Sequence, residues 1–236
     1  MSRFATRRCS LILFSNVSKS YGRSRNVLED INLLIARNEF VFLIGANGAG
    51  KSTLLKLATL QEEPSTGTLI IGSQRVNRLN SKGRARLRRR LGIIPQQNRL
   101  FYDRTAYANV ALPLQVTGEG GNRLRARVMA GLDRVGMADQ ADTVVNEMSG
   151  GQQQRVAIAK ALVNDPEILI ADEPTEALSP SASQAVMELL LQASSEGITA
   201  LVATHDSAVV DRLRRRVVKL EEGRVVADVP AGGFDD

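Results

Sequence analysis

From Phe40 to Thr53 the chain reads FVFLIGANGAGKST: an apolar run, then G-x-x-x-x-G-K-S, then Leu54-Leu55 opening a helical pattern. No other stretch constrains the fold as tightly. A loop that curls its backbone N–H groups round an anion works between a strand that fixes where it starts and a helix whose positive end faces the same anion. Gly45, Gly48 and Gly50 are the residues free to make that curl, and Ala46, Asn47 and Ala49 fill the loop between them. Lys51 has the reach for the β- and γ-phosphates of a nucleotide. The Ser52 hydroxyl suits Mg²⁺, and Thr53 continues the first helical turn. ATP with Mg²⁺ is the ligand this pattern predicts.

A second anion-binding end stands far along the chain. Ser149, Gly150, Gly151 and Gln152 in MSGGQ place a Gly-Gly pair at the head of a helical pattern, where bare N–H groups and the helix dipole again favour an anion. One helix length later comes ILIADE, a buried-strand run closed by Asp172 and Glu173. After a phosphate loop, such an Asp is placed to hold Mg²⁺ and the following Glu to polarise an attacking water. Two phosphate ends on one chain raise the question of whether they serve the same nucleotide.

Apolar runs predict strands near 11–17, 27–36, 40–45, 68–72, 91–95, 168–172, 199–204, 215–220 and 224–228. Helical patterns cover 50–60, 105–117, 122–135, 150–163, 180–195 and 206–213. Strands dominate first, helices next, and strand-helix alternation last, so the pattern predicts an α/β core with a helical insertion over 97–165. The domain is expected over 11–236, with 1–10 flexible and the AGGFDD tail frayed.

The single Cys9 excludes an internal disulfide framework, and with one histidine, His205, neither a Cys- nor a His-cluster metal site is available. No apolar run approaches the ~20 residues of a spanning helix. The opening MSRFATRRCSLILF makes a poor signal peptide, because Ser15, Asn16 and Ser18 follow at once. The net charge of +6 permits an anionic partner without choosing one.

Taken together and in this order, these motifs resemble the ATP-binding cassette ATPases over nearly the whole chain. The resemblance implies a P-loop NTPase core, a mixed, mostly parallel sheet with an antiparallel β part, carrying a helical signature subdomain. It implies that Tyr21 in KSYG stacks on adenine and that Gln96, after LGIIP, senses Mg²⁺ and the γ-phosphate. Ser149, Gly150 and Gly151 then match the signature, and His205 in ATHD is the γ-phosphate contact. It further implies a homodimer formed on ATP, in which the phosphate loop of one copy and the signature helix of the other close on one nucleotide. Where the family usually has Asp, this chain has Ser179, a helix N-cap followed by Pro180. The expected effect is slower hydrolysis.

Leu87 to Gly118 is most similar to the family's cell-division ATP-binding proteins, with Asp103-Arg104-Thr105 and Asn109 to Leu114 in their order. That similarity implies an FtsX-like integral membrane partner, with the chain peripheral on the cytoplasmic face of the membrane. Exporter subunits of the lipoprotein-release or macrolide-pump type share most of the same motifs. Leu100, Phe101, Tyr102 and Tyr107 are expected to form the groove for the partner's helix, or else to pack inside a small helical lobe. Three readings of the arginine run from Arg84 to Arg90 stay open: a solvated face, a lipid-headgroup face, or a nucleic-acid site. The missing aromatic interleaving disfavours nucleic acid.

Overall fold

A computed structural model describes residues 10–22 and 26–235. The segment expected to be flexible, 1–10, lies outside the described residues apart from the Ser10 backbone. The strands are β1 (Ser10–Ser20), β2 (Asn26–Ala36), β3 (Phe40–Ile44), β4 (Thr66–Ile71), β5 (Gln74–Arg75), β6 (Leu91–Ile94), β7 (Ile168–Asp172), β8 (Thr199–Ala203), β9 (Arg216–Glu221) and β10 (Arg224–Val229). The helices are α1 (Lys51–Ala58), α2 (Ser81–Arg88), α3 (Ala106–Val116), α4 (Gly121–Arg134), α5 (Gly150–Leu162), α6 (Pro180–Ser195) and α7 (Ser207–Leu213).

The strands form two sheets. One is antiparallel in the order β2-β1-β4-β5, and the other runs β10-β9-β3-β8-β7-β6. In the second sheet β9, β3, β8, β7 and β6 are mutually parallel and β10 returns antiparallel to β9. Parallel strands end together, so the loops after β3, β7 and β8 emerge at one edge.

β3 explains why its sequence is apolar without alternation. Phe40, Phe42 and Ile44 face a cluster shared with Val110 and Leu114 of α3, Val156 of α5 and Val186 of α6. Val41 and Leu43 face the opposite cluster, with Leu54 and Leu57 of α1 and with Phe14 and Ile35 of the antiparallel sheet. A strand covered on both faces needs apolar residues at every position. On the first face α3, α4 and α5 pack on one another, all within 97–165.

Two elements depart from the sequence reading. α2 overlaps the arginine run: Asn80 caps it, its side chain accepting from Gly83 N at 2.9 Å, and only Leu87 is buried. The tail docks instead of fraying. Gly232 N donates to Arg215 O at 3.1 Å, Phe234 N donates to Asp211 Oδ1 at 2.8 Å, and the Phe234 ring packs on the helix-side core.

Candidate functional site

The loop between β3 and α1 takes its shape from two glycines. At Gly45, with φ 144°, a Cβ would lie 2.2 Å from Leu220 O, and at Gly50, with φ 106°, it would meet Leu28 Cδ2 at 2.7 Å. Both positions combine a backbone angle that L side chains resist with no room for one. Lys51 follows as the first residue of α1 and is buried; its Nζ donates to Gly45 O at 2.6 Å and Ala46 O at 3.3 Å. Its ammonium therefore sits inside the curl of the loop.

The carboxylates arrive from the neighbouring strand. β7 ends at Asp172, which pairs with Ala203 of β8. The next residue, Glu173, turns into the left-handed region at φ 48° while its N–H still donates to Ala203 O at 2.9 Å. A non-glycine residue there costs about 1–3 kcal/mol. The turn aims a nearly buried carboxylate at the loop after β8: Oε2 accepts the His205 backbone N–H at 3.2 Å and lies 2.8 Å from Nδ1.

Asp172 Oδ1 is buried and has no hydrogen-bond partner. Burial pushes the Asp172 carboxyl above its ordinary range, and the Ser52 hydroxyl pulls it partly back. A buried oxygen without a donor, beside a hydroxyl, suits a hard divalent cation. Among the described residues no group of three His, Cys, Asp or Glu side chains stands ready to hold a metal alone. A cation here would share its shell with phosphate oxygens, as Mg²⁺ does.

Gln96 leaves the end of β6, and its Nε2 donates to Glu176 Oε2 at 2.8 Å. With Ala46, Asn47, Gly48, Gly50, Lys51, Ser52, Thr53 and Glu173 it lines a cleft of about 210 Å³. Val27 of β2 lines it too, which no motif marked. His205 lies with Gly45 to Ala49 on a second, adjoining cavity of about 740 Å³ that Phe234 also borders. Tyr21 stands apart from both: it is exposed at the end of β1, with Lys19 Nζ 4.9 Å from its ring centroid, and lines neither.

The signature builds a separate pocket of about 490 Å³. Ser149 caps α5 reciprocally, its Oγ accepting from Gln152 N at 3.4 Å and its N–H donating to Gln152 Oε1 at 2.8 Å. Its Oγ only accepts in this cap, so the Ser149 hydroxyl keeps its own proton to donate outward. A Cβ on Gly151 would come within 3.0 Å of Ala182 Cβ, so the helix head lies close against α6. Across the pocket, Ser179 caps α6: Oγ accepts from Ala182 N at 3.4 Å and lies 3.2 Å from Ser181 Oγ, with Pro180 at the first helical position. No residue lines both this pocket and the Lys51 cleft.

A groove of about 670 Å³ opens between α2, the strand-end segment at Pro95 and α3. Leu91, Ile93, Pro95, Leu112, Pro113 and Val116 line it, and Leu100 alone of the predicted aromatic-rich patch joins them. Tyr107 packs on the helix-side core, and Phe101 and Tyr102 are exposed outside the groove. No helix is long and apolar enough to cross a membrane among the described residues.

The sequence profile described as "ABC transporter" matches residues 28–176. The chain is 43% identical over 225 residues to the cell division ATP-binding protein FtsE of Mycobacterium tuberculosis, covering 95% of this chain and 98% of that one. To the FtsE of Escherichia coli K12 it is 41% identical over 215 residues, covering 91% and 97%. Among solved structures it is similar to the dimeric post-hydrolysis state of the ATP-binding cassette MJ0796 bound to ADP and Pi, with TM-score 0.85 and 34% identity, covering 94% of this chain and all (100%) of that one.

Proposed function

Because the chain belongs to the ABC transporter family, as an ATP-binding and ATP-hydrolysing subunit similar to FtsE proteins, we propose that its two pockets are the two halves of one ATP site, completed between two copies. The observation that carries this reading is that the Lys51 cleft and the signature pocket have no residue in common. Each pocket holds half of what phosphoryl transfer needs, and the related cassette forms a dimer.

In one copy the loop from Gly45 to Ser52 wraps the phosphates, with Lys51 on the β- and γ-phosphates. Tyr21 stacks on the adenine. Ser52, Asp172 and Gln96 would hold Mg²⁺, which when bound would neutralise charge on the phosphate oxygens. Glu173 accepts a proton from the attacking water, and His205 orients that carboxylate while reaching the γ-phosphate. The second copy brings Ser149 O–H, the N–H groups of Gly150 and Gly151, and Gln152 to the same γ-phosphate. Water attacks the γ-phosphorus, the bond to the β-bridging oxygen breaks, and ADP and phosphate leave. Losing the γ-phosphate removes what the two copies hold in common, so hydrolysis separates them.

The apolar groove beside α3 is where a helix of an FtsX-like integral membrane protein docks, so that closure and release of the cassette pair move that partner. The chain then sits on the cytoplasmic face of the membrane through it.

The shared site is tested by mixing two inactive variants. Lys51→Ala lacks the phosphate contact, and Gly151→Val, crowded against Ala182, lacks the signature. Neither associates with itself on ATP, but the mixture does, because one intact composite site forms. A mixture that stays monomeric where the unmodified chain dimerises would mean that each copy binds and closes on its own nucleotide.

A further inference from the structure

The arginine run divides by partner. On its inner side Arg84 Nη2 lies 2.7 Å from Glu63 Oε1, Arg88 donates to Leu60 O, and Arg90 forms a two-point pair with Glu167 at 2.6 and 2.7 Å. Lys82, Arg86 and Arg89 are exposed, and their side chains make no hydrogen bond or ion pair among the described residues. The helical course continues through Arg89, with φ −67° and ψ −19°. Spacings of i, i+4 and i+7 put these three cations on one face, opposite the buried Leu87.

Fixing like charges on one face has a Coulomb cost unless an anion meets them. The surroundings narrow which anion. Arg89 lines, with Arg99 and with Val116, which is 72% exposed, the groove assigned above to a membrane protein's helix, so on that reading the cationic face of α2 adjoins the side of the chain that meets the membrane. Among the described residues no ring stands over this face to stack a base: the exposed aromatics there are Tyr21, Phe101 and Tyr102, none of them in the groove or on α2. Cations beside an exposed aliphatic side chain and a groove of apolar residues match the boundary between headgroups and acyl chains.

We infer that the outer face of α2 is a membrane-contact surface, in which Lys82, Arg86 and Arg89 bind the phosphodiester headgroups of an anionic bilayer directly. The attraction is weak, additive and sensitive to salt, since exposed charges are screened within about 8–10 Å at ordinary ionic strength. It requires no membrane protein and is separate from the shared ATP site.

The test uses the purified full chain and no partner. Cosedimentation is measured with phosphatidylglycerol–phosphatidylethanolamine vesicles and with phosphatidylcholine vesicles, at low and high salt. The unmodified chain should bind the anionic vesicles alone, and only at low salt. Neutralising one cation should weaken partitioning about five-fold, and the triple variant Lys82→Gln, Arg86→Gln, Arg89→Gln on the order of a hundredfold. A control removing three other exposed charges, Arg125→Gln, Arg212→Gln and Arg215→Gln, should bind as before. Arg86→Glu alone supplies a second variant should the triple one fail to fold, and ATP binding reports folding for all of them. Failure of the unmodified chain to bind anionic vesicles overturns the inference, and so does equal loss in both triple variants. Binding of a DNA duplex more tightly than vesicles, lost in the α2 variants, assigns the face to nucleic acid instead.

Discussion

Glu173 Oε2 is held by His205 twice, accepting its backbone N–H at 3.2 Å and lying 2.8 Å from its Nδ1. With the Nδ1 proton directed at the carboxylate, the ring presents Nε2 on its far side. The pair is thus a single unit in which one side chain sets the orientation of the other, and both emerge where β7 and β8 end side by side.

Glu173→Gln keeps an oxygen that accepts the His205 N–H and removes the proton acceptor. ATP turnover should fall by about 10²–10⁴-fold. ATP binding should remain, and the closed dimer should accumulate in gel filtration with ATP. A variant that stays monomeric with ATP contradicts the shared site.

Ser179 retains the cap on α6 but carries no charge at the pocket facing the signature. Ser179→Asp keeps a capping oxygen and should raise steady-state turnover. Ser179→Ala should lower stability by about 1 kcal/mol through loss of the cap. Unchanged turnover in Ser179→Asp would show that the missing charge does not limit the rate.

Gly45 and Gly48 separate crowding from backbone strain. At Gly48, φ is 83° and nothing lies within 4 Å of a Cβ, so Gly48→Ala should cost about 1–2 kcal/mol. Gly45→Ala drives a methyl into Leu220 O and should cost more, with ATP affinity lost as the loop is displaced. Denaturant midpoints of the two variants, with ATP titrations, check the order.

The Arg90 guanidinium, hydrogen-bonded to Glu167, holds that carboxyl below the ordinary glutamate range, with the nearby Arg37 adding to the effect. A depressed acid contributes its stability in full above the ordinary glutamate value. It loses that stability as pH falls through the lower, folded-state value. Denaturant melts from pH 6 downward should show the unmodified chain losing more stability than Glu167→Gln, with the two curves converging at the acid end. Parallel curves would mean that the pair adds nothing.

The nine strands read from apolar runs are all present, because burial on one or both faces of a sheet writes itself directly into residue pattern. The phosphate loop, Asp172 and Glu173 were legible for a different reason: each is fixed by spacing within one short segment. α2 was not legible, since it buries Leu87 alone and so lacks a 3.6-residue apolar rhythm; the Asn80 cap was the one local signal. The docked tail was hidden by its glycines, which here serve close approach: a Cβ on Gly232 would lie 3.1 Å from Val217 Cβ. The groove was only partly foreseen because residues from Thr59 to Asn164 assemble it. Val27 in the Lys51 cleft and Glu176 on Gln96 are set by three-dimensional proximity and carry no motif of their own.

The proposed pairing of the Lys51 cleft with the signature pocket of a second copy has a kinetic consequence. Turnover by a site divided between two chains is second order in protein when the chain is dilute, so specific activity should climb with enzyme concentration before it levels. A scaffold that gathers two copies replaces bulk concentration by an effective one, in the millimolar range for short flexible tethers. The same chain would then be nearly idle when dispersed and active when assembled, with no change in any residue of either pocket.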